Sequence, residues 1–259
     1  MVKPIKKFGQ NFLKDNNILR KINEVINPQK DDKIIEIGPG EGALTKLLSN
    51  SGADVTAIEI DKRVIEHLKE TFPEVKIINQ DFLEIDLTHF GSSDLRIVGN
   101  IPYNITSPII FKLIENYYLI LDAVFMVQYE VAKRMTAKKG TKDYGILSVL
   151  LSYFADTEFC FKVSPNVFYP KPKVFSAVVR IKFKKNLDES LNKTFIQIVK
   201  AAFGNRRKTL KNSLSNSIFA QLNFSGCDVD LSLRAEQLDL SDFIKLAEFA
   251  RENISASSI

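Results

Sequence analysis

The stretch Ile34-Ile35-Glu36-Ile37-Gly38-Pro39-Gly40-Glu41-Gly42 reads as a buried strand running into a glycine-rich turn and then a helix. Glycine at such a turn permits positive φ and lets the backbone approach a ligand closely. The spacing is Gly-x-Gly-x-Gly, not the Gly-x-Gly-x-x-Gly of dinucleotide binders, so no pyrophosphate clamp is implied. Pro39 also removes one backbone donor that such a clamp would use.

The same alternation continues along the chain. Strands are predicted over 33–37, 55–60, 75–78, 95–98 and 123–127, and helices over 42–49, 62–71 and 107–117. Strand–helix alternation of this kind means a parallel, doubly wound α/β sheet. Residues 157–163 and 177–183 read as a later antiparallel pair at the sheet edge, joined by a loop containing Pro165, Pro170 and Pro172. Around Lys184-Lys185-Asn186 the pattern changes to helices alone, over 191–203, 206–215 and 241–253, with a short helix inside 231–240. The expected organisation is a sheet domain over 1–185 and a small all-helical domain over 186–259.

Composition narrows the function class. At 259 residues and 45% hydrophobic, the chain can bury a full core. A net charge of +5 is a mild basic excess, which points to a polyanion only where it clusters. Cys160 and Cys227 lie far apart with no Cys-x-x-Cys pair, as expected of reduced core residues. His67 and His89 are the two histidines, so no histidine triad and no metal site is expected. No signal-peptide core and no apolar run of about 18 residues is present, so a cytoplasmic protein without a membrane span is expected. Nothing in the sequence calls for an obligate oligomer, and a monomer is expected.

Three strand ends carry chemistry. Glu59 lies 21 residues beyond Gly38 at the end of the next strand, where a carboxylate can accept from both ribose hydroxyls or simply cap the strand. Asp81, beside Phe82, can accept from an adenine amino group or act as a turn-former or helix cap. Asn100-Ile101-Pro102-Tyr103 follows the apolar run 95–99; Asn-x-Pro is an ordinary turn signal, yet an amide oxygen, a carbonyl and a stacking ring also suit an amino-bearing base. Ligands bind at this edge of open α/β sheets, which favours one common site over three separate caps.

The ordered set Gly-x-Gly-x-Gly, Glu59, Asp81 and Asn-Ile-Pro-Tyr resembles a class I (Rossmann-like) S-adenosylmethionine-dependent methyltransferase acting on an adenine amino nitrogen. Phe8-Gly9-Gln10-Asn11-Phe12-Leu13 and Asn166-Val167-Phe168-Tyr169-Pro170-Lys171-Pro172-Lys173-Val174 narrow the resemblance to the ribosomal RNA adenine N6,N6-dimethyltransferase family, best to its small-subunit branch. The likeness runs from about Phe8 to about Leu214. It implies that Gln10, Asn11 and Leu13 close over S-adenosyl-L-methionine, that Gly38 and Gly40 hold its methionine part, and that Glu59 with Ile60 and Asp81 with Phe82 hold its ribose and adenine. It implies that Asn100, which reaches the cofactor as well as the base, grips the target adenine together with Ile101, Pro102 and Tyr103, with Phe168 stacking from the opposite face. Ile101 stands where DNA adenine methyltransferases usually carry a second proline, which favours RNA as substrate.

Gly204-Asn205-Arg206-Arg207-Lys208-Thr209-Leu210-Lys211-Asn212 gathers four cations, with no acid from Gly204 to Ser225. A solvated helix face is the usual fate of such a run. The match to the family's Arg-Arg-Lys-Thr-Leu segment favours instead an RNA-phosphate site at Arg206, Arg207, Lys208 and Lys211, extended by Lys138, Lys139 and Lys142. The expected partner is small-subunit rRNA in an immature 30S subunit, where the enzyme dimethylates two adjacent adenines of the 3′-terminal hairpin loop. The alternatives are a large-subunit (23S) rRNA adenine methyltransferase of the macrolide-resistance type, and an RNA-binding ribosome-assembly factor without catalysis. Asn104-Ile105-Thr106-Ser107-Pro108 and the helical tail favour the first reading.

Overall fold

A computed structural model describes residues 10–91, 93–205 and 207–256. The apolar runs form strands β1 (Phe12–Leu13), β2 (Lys33–Ile37), β3 (Asp54–Glu59), β4 (Lys76–Asn79), β5 (Leu95–Asn100), β6 (Ile120–Gln128), β7 (Ala155–Val163), β8 (Phe168–Tyr169) and β9 (Ser176–Phe183). Seven of them make one sheet in the order β4-β3-β2-β5-β6-β9-β7. β2 pairs in parallel with both β3 and β5, β5 pairs in parallel with β6, and β9 pairs antiparallel with β6. Ala123–Val127 is buried without interruption, because a central strand is covered on both faces.

Helices α1 (Asn16–Ile26), α2 (Thr45–Ser49), α3 (Lys62–Thr71) and α4 (Thr106–Glu115) belong to the sheet unit. Asp15 caps α1 by accepting from the Asn17 and Ile18 amides, and the i, i+3, i+7 spacing of Leu19, Ile22 and Ile26 buries one stripe. That stripe joins Leu48 of α2 and Val64 and Leu68 of α3 in a core against Ile34, Val55, Val98 and Val124. The predicted helix over 42–49 forms only from Thr45, since Gly42 sits at φ +83°, outside helical space.

The chain divides into two compact units. One ends at Ala132 and resumes over Asp156–Lys184; the other comprises Lys133–Ala155 and everything from Lys185. A single boundary near residue 186 therefore omits the segment 133–155, which holds α6 (Ile146–Phe154) and part of α5 (Tyr129–Met135). Its place is set by packing: Tyr153 stacks on Phe195 of α7 (Glu189–Phe203) at 4.1 Å between centroids, and the Tyr144 hydroxyl donates to Leu238 O at 3.0 Å. The same unit contains α8 (Leu210–Leu214) and α9 (Leu240–Ala256). Among the described residues no helix is long and apolar enough to cross a membrane.

Candidate active site

Strand order reverses between β2 and β5, and a cavity of about 580 Å³ opens there at the carboxyl ends of the strands. Its lining includes Gln10, Asn11, Leu13, Gly38, Gly40, Glu59, Ile60, Asp81, Phe82, Asn100, Ile101, Pro102 and Tyr103. The structure thus brings every expected cofactor residue and the tetrapeptide to one cavity within a single unit.

The glycines divide the work. A Cβ on Gly40, at φ +56°, would meet the Phe12 ring at 2.9 Å, and one on Gly42 would overlap the Phe72 ring. Those two are glycine both for their positive φ and for packing. Gly38, at φ +65°, has no atom within 4 Å of where its Cβ would be, and leaves backbone open to a ligand.

Glu59 is buried at the end of β3 and is gripped by backbone: Asp61 N donates to Oε1 at 2.9 Å and Gly40 N to Oε2 at 3.3 Å. Burial raises its pKa, while these two amides oppose the rise. Each oxygen keeps a lone pair for a diol. Glu36, on the same face of β2 as Ile34, also lines the cavity. It receives the Thr45 hydroxyl at 2.6 Å, and burial pushes its carboxyl up to about 7. Sequence reasoning quoted Glu36 without giving it a role, although an acid inside an apolar strand is itself a signal. Asp81 caps the 3-10 turn Phe82–Glu84 by accepting from Leu83 N at 2.9 Å through Oδ1. Cap and ligand acceptor are compatible, because Oδ2 has no partner among the described residues.

Asn100 ends β5. Its Nδ2 donates to the Asn11 carbonyl at 2.8 Å, so Oδ1 is the amide's unused acceptor. The Pro102 carbonyl already accepts from Ile105 N at 3.1 Å and Thr106 Oγ1 at 3.4 Å. Among the described residues no donor meets Ile101 O, which can accept from a ligand. The Tyr103 hydroxyl bonds Ser176 Oγ at 2.7 Å, which fixes its ring at the cavity wall, and burial raises its pKa. Over the cofactor end lies residue 10 onward: Gln10 Nε2 donates to Asp61 Oδ2 at 2.9 Å, and β1 pairs antiparallel with β8 (Phe12 with Tyr169, Leu13 with Phe168).

That pairing corrects one expectation. Phe168 does not line the cavity; it is 5% exposed and packs in the core with Leu13, Met126 and Val163. In this structure its ring is enclosed in that core and offers no exposed stacking face. The basic segment differs too. α7 stops at Phe203 and α8 starts only at Leu210, so Arg207 and Lys208 lie exposed on the intervening turn, and among the described residues of that set Lys211 alone is helical. Thr209, extended at ψ 162°, is the N-cap residue, so the helix expected over 206–215 begins only at Leu210. Arg206 falls outside the described residues. Lys139 pairs with Asp239 at 3.7 Å.

Two carboxylates at successive strand ends, an open glycine turn and an amide beside an aromatic wall suit an adenosine-bearing ligand next to a second planar base. The model of the ribosomal RNA adenine dimethylase family matches residues 2–252. A ribosomal RNA small subunit methyltransferase A from Francisella tularensis subsp. novicida (strain U112) is 44% identical over 252 residues, covering 94% of this chain and 96% of that protein. Its namesake from Chlorobium phaeobacteroides (strain DSM 266 / SMG 266 / 2430) is 44% identical over 254 residues, covering 98% and 93%. Among solved structures, a dimethyladenosine transferase from Plasmodium falciparum superposes with a TM-score of 0.79 at 27% identity, over 93% of this chain and 98% of that one. The 23S rRNA methyltransferase ErmE gives 0.69 at 28% identity, over 93% and 99%. Because the family match spans both units and not the sheet alone, this chain belongs to the ribosomal RNA adenine dimethylase family.

Proposed function

We propose that the protein transfers methyl groups from S-adenosyl-L-methionine to N6 of two adjacent adenines in the 3′-terminal hairpin loop of small-subunit rRNA, yielding N6,N6-dimethyladenosines. It acts in the cytoplasm on immature 30S subunits. The carrying observation is Asn100, whose amide is oriented by Asn11 so that Oδ1 remains free in the cavity shared with Gly38, Glu59 and Asp81. It acts as a monomer. Relatives named for the small subunit, 44% identical over most of the chain, favour that RNA over the large-subunit alternative.

The cavity fits the methyl donor: Gly38 leaves room for its amino-acid part, Glu59 can accept from the ribose hydroxyls, and Asp81 Oδ2 can accept from the adenine amine. When bound, the sulfonium supplies an activated methyl group. The chain's own task is the acceptor, since the N6 lone pair is delocalised into the purine. Asn100 Oδ1 and Ile101 O accept the two N6 protons, which favours a more pyramidal nitrogen and aims its lone pair. Tyr103 supplies the ring that holds the base. This is catalysis by orientation and electrostatics, and the surplus amine proton leaves to water without a strong general base. One stacking face contributes about 1–3 kcal/mol, against a few kcal/mol to extrude a paired base. That balance favours an adenine in a loop over one in a duplex.

The test is methyl incorporation into immature small subunits and into protein-free large-subunit rRNA. Dimethyladenosine is expected only in the former. Incorporation confined to the latter would overturn the assignment, and binding to small subunits without incorporation would support an assembly factor.

A further inference from the structure

Four exposed large apolar side chains crowd one stretch of the sheet unit: Phe159 on β7, and Tyr169, Val174 and Phe175 between β7 and β9. Phe175 is 45% exposed. Lys162 Nζ stands 3.9 Å from the Phe175 ring centroid and 4.7 Å from that of Tyr129. The Tyr129 ring in turn meets Phe159 edge to face at 6.0 Å. Among the described residues Lys162 on β7 makes no ion pair, and neither do the exposed Lys171 and Lys173 on the loop between β8 and β9.

The cluster adjoins the wall of the active site. Tyr129 N donates to Phe175 O at 2.9 Å, and the next residue, Ser176, carries the hydroxyl bonded to Tyr103. Gln128 pairs with Ser176, and Met126, two residues earlier, lines the cavity. Aromatic rings with an unneutralised cation among them are a poor match for an apolar protein surface. They match a nucleotide, which brings a π-face for the ring and a phosphate for the ammonium.

We propose that Phe175, backed by Lys162 and Tyr129, forms a platform for the unpaired nucleotide next to the target adenine. Its base lies on the exposed part of the Phe175 ring and its phosphate meets Lys162 Nζ. The platform rests on the reading of the cavity as an RNA adenine N6 site and adds to it a requirement for single-stranded flanking sequence.

The test uses the full chain, immature small subunits carrying 2-aminopurine beside the target adenine of the 3′-terminal hairpin loop, and protein-free large-subunit rRNA. Phe175→Ala is expected to raise KM for RNA roughly 5- to 100-fold with kcat and cofactor Kd unchanged, and to abolish 2-aminopurine quenching. Phe175→Tyr restores both, and Lys162→Ala lowers the salt slope of binding by about 0.7. Phe175→Ala with wild-type KM and wild-type quenching overturns the platform while wild-type methylation of the small-subunit RNA leaves the proposed function standing. Wild-type methylation of large-subunit rRNA alone, with Phe175→Ala still raising its KM, overturns the substrate assignment and supports the platform.

Discussion

Asn100 shows how one hydrogen bond sets chemistry. With Nδ2 on the Asn11 carbonyl, reversing the amide would set two acceptors against each other, so the orientation is locked. Asn100→Ala is expected to slow single-turnover methyl transfer about 10²- to 10³-fold, with the melting temperature nearly unchanged. Full methylation by that variant would remove the orientation mechanism. Glu36 makes a pH prediction. Its carboxyl titrates near 7 in the folded state and at 4.5 when exposed, so the folded state keeps a proton that the unfolded chain has lost. Its contribution to stability therefore falls as pH rises from about 4.5 to about 7, by up to about 3 kcal/mol. Urea unfolding at pH 5 and pH 8 should show Glu36→Gln losing that part of the difference; an unaltered pH dependence would place the titration elsewhere. Phe168 and Tyr103 separate two roles that look alike in sequence. Phe168→Ala should cost about 3–5 kcal/mol of stability by emptying a core site. Tyr103→Ala, at a half-buried cavity wall, should instead weaken RNA binding with a smaller change in melting temperature.

At the scale of elements, strand identity was legible because buried parallel strands are continuous apolar runs, and β2, β3, β5 and β9 lie within a few residues of expectation. Turn geometry was less legible. Gly42 delays α2 and Thr209 delays α8, both through backbone angles that an apolar pattern does not encode. The ribbon of β1 and β8 is less legible still: Gln10-Asn11-Phe12-Leu13 and Asn166-Val167-Phe168-Tyr169 stand as two separate motifs in the sequence, yet Phe12 pairs with Tyr169 and Leu13 with Phe168. Pairing partners more than 150 residues apart leave no local signal. Since Gln10 ties this ribbon to Asp61 at the mouth of the cofactor end, Gln10→Ala should weaken S-adenosylmethionine binding about tenfold by calorimetry. Unchanged affinity would mean that the β1–β8 pairing alone holds the segment in place.

For the whole molecule, charge is placed where it can do different things. At the edge of the sheet opposite the cavity, buried Arg96 binds both oxygens of buried Asp122 at 2.8 and 2.9 Å and reaches Asp32 and the Ile26 carbonyl, while Arg180 also pairs with Asp122. That network ties α1, β5, β6 and β9 together, and removing one partner would leave a buried charge uncompensated. In the helical unit Arg207, Lys208 and Lys211 are exposed, which suits phosphate binding. Replacing these three with Ala should lower the log–log salt slope of RNA binding by about 2 to 3, and an unchanged slope would take the segment out of the RNA site. Residue types in fixed order were enough to name the chemistry, because a glycine turn, strand-end acids and Asn-Ile-Pro-Tyr act through local backbone and side-chain groups that any observer of the chain can read. What folding alone supplied was which groups are free to act: Asn100 Oδ1 and Ile101 O over Pro102 O, Gly38 over Gly40 and Gly42, and an exposed Phe175 over a buried Phe168. Availability depends on partners brought from distant parts of the chain, and burial and hydrogen bonding exist only once those parts have packed.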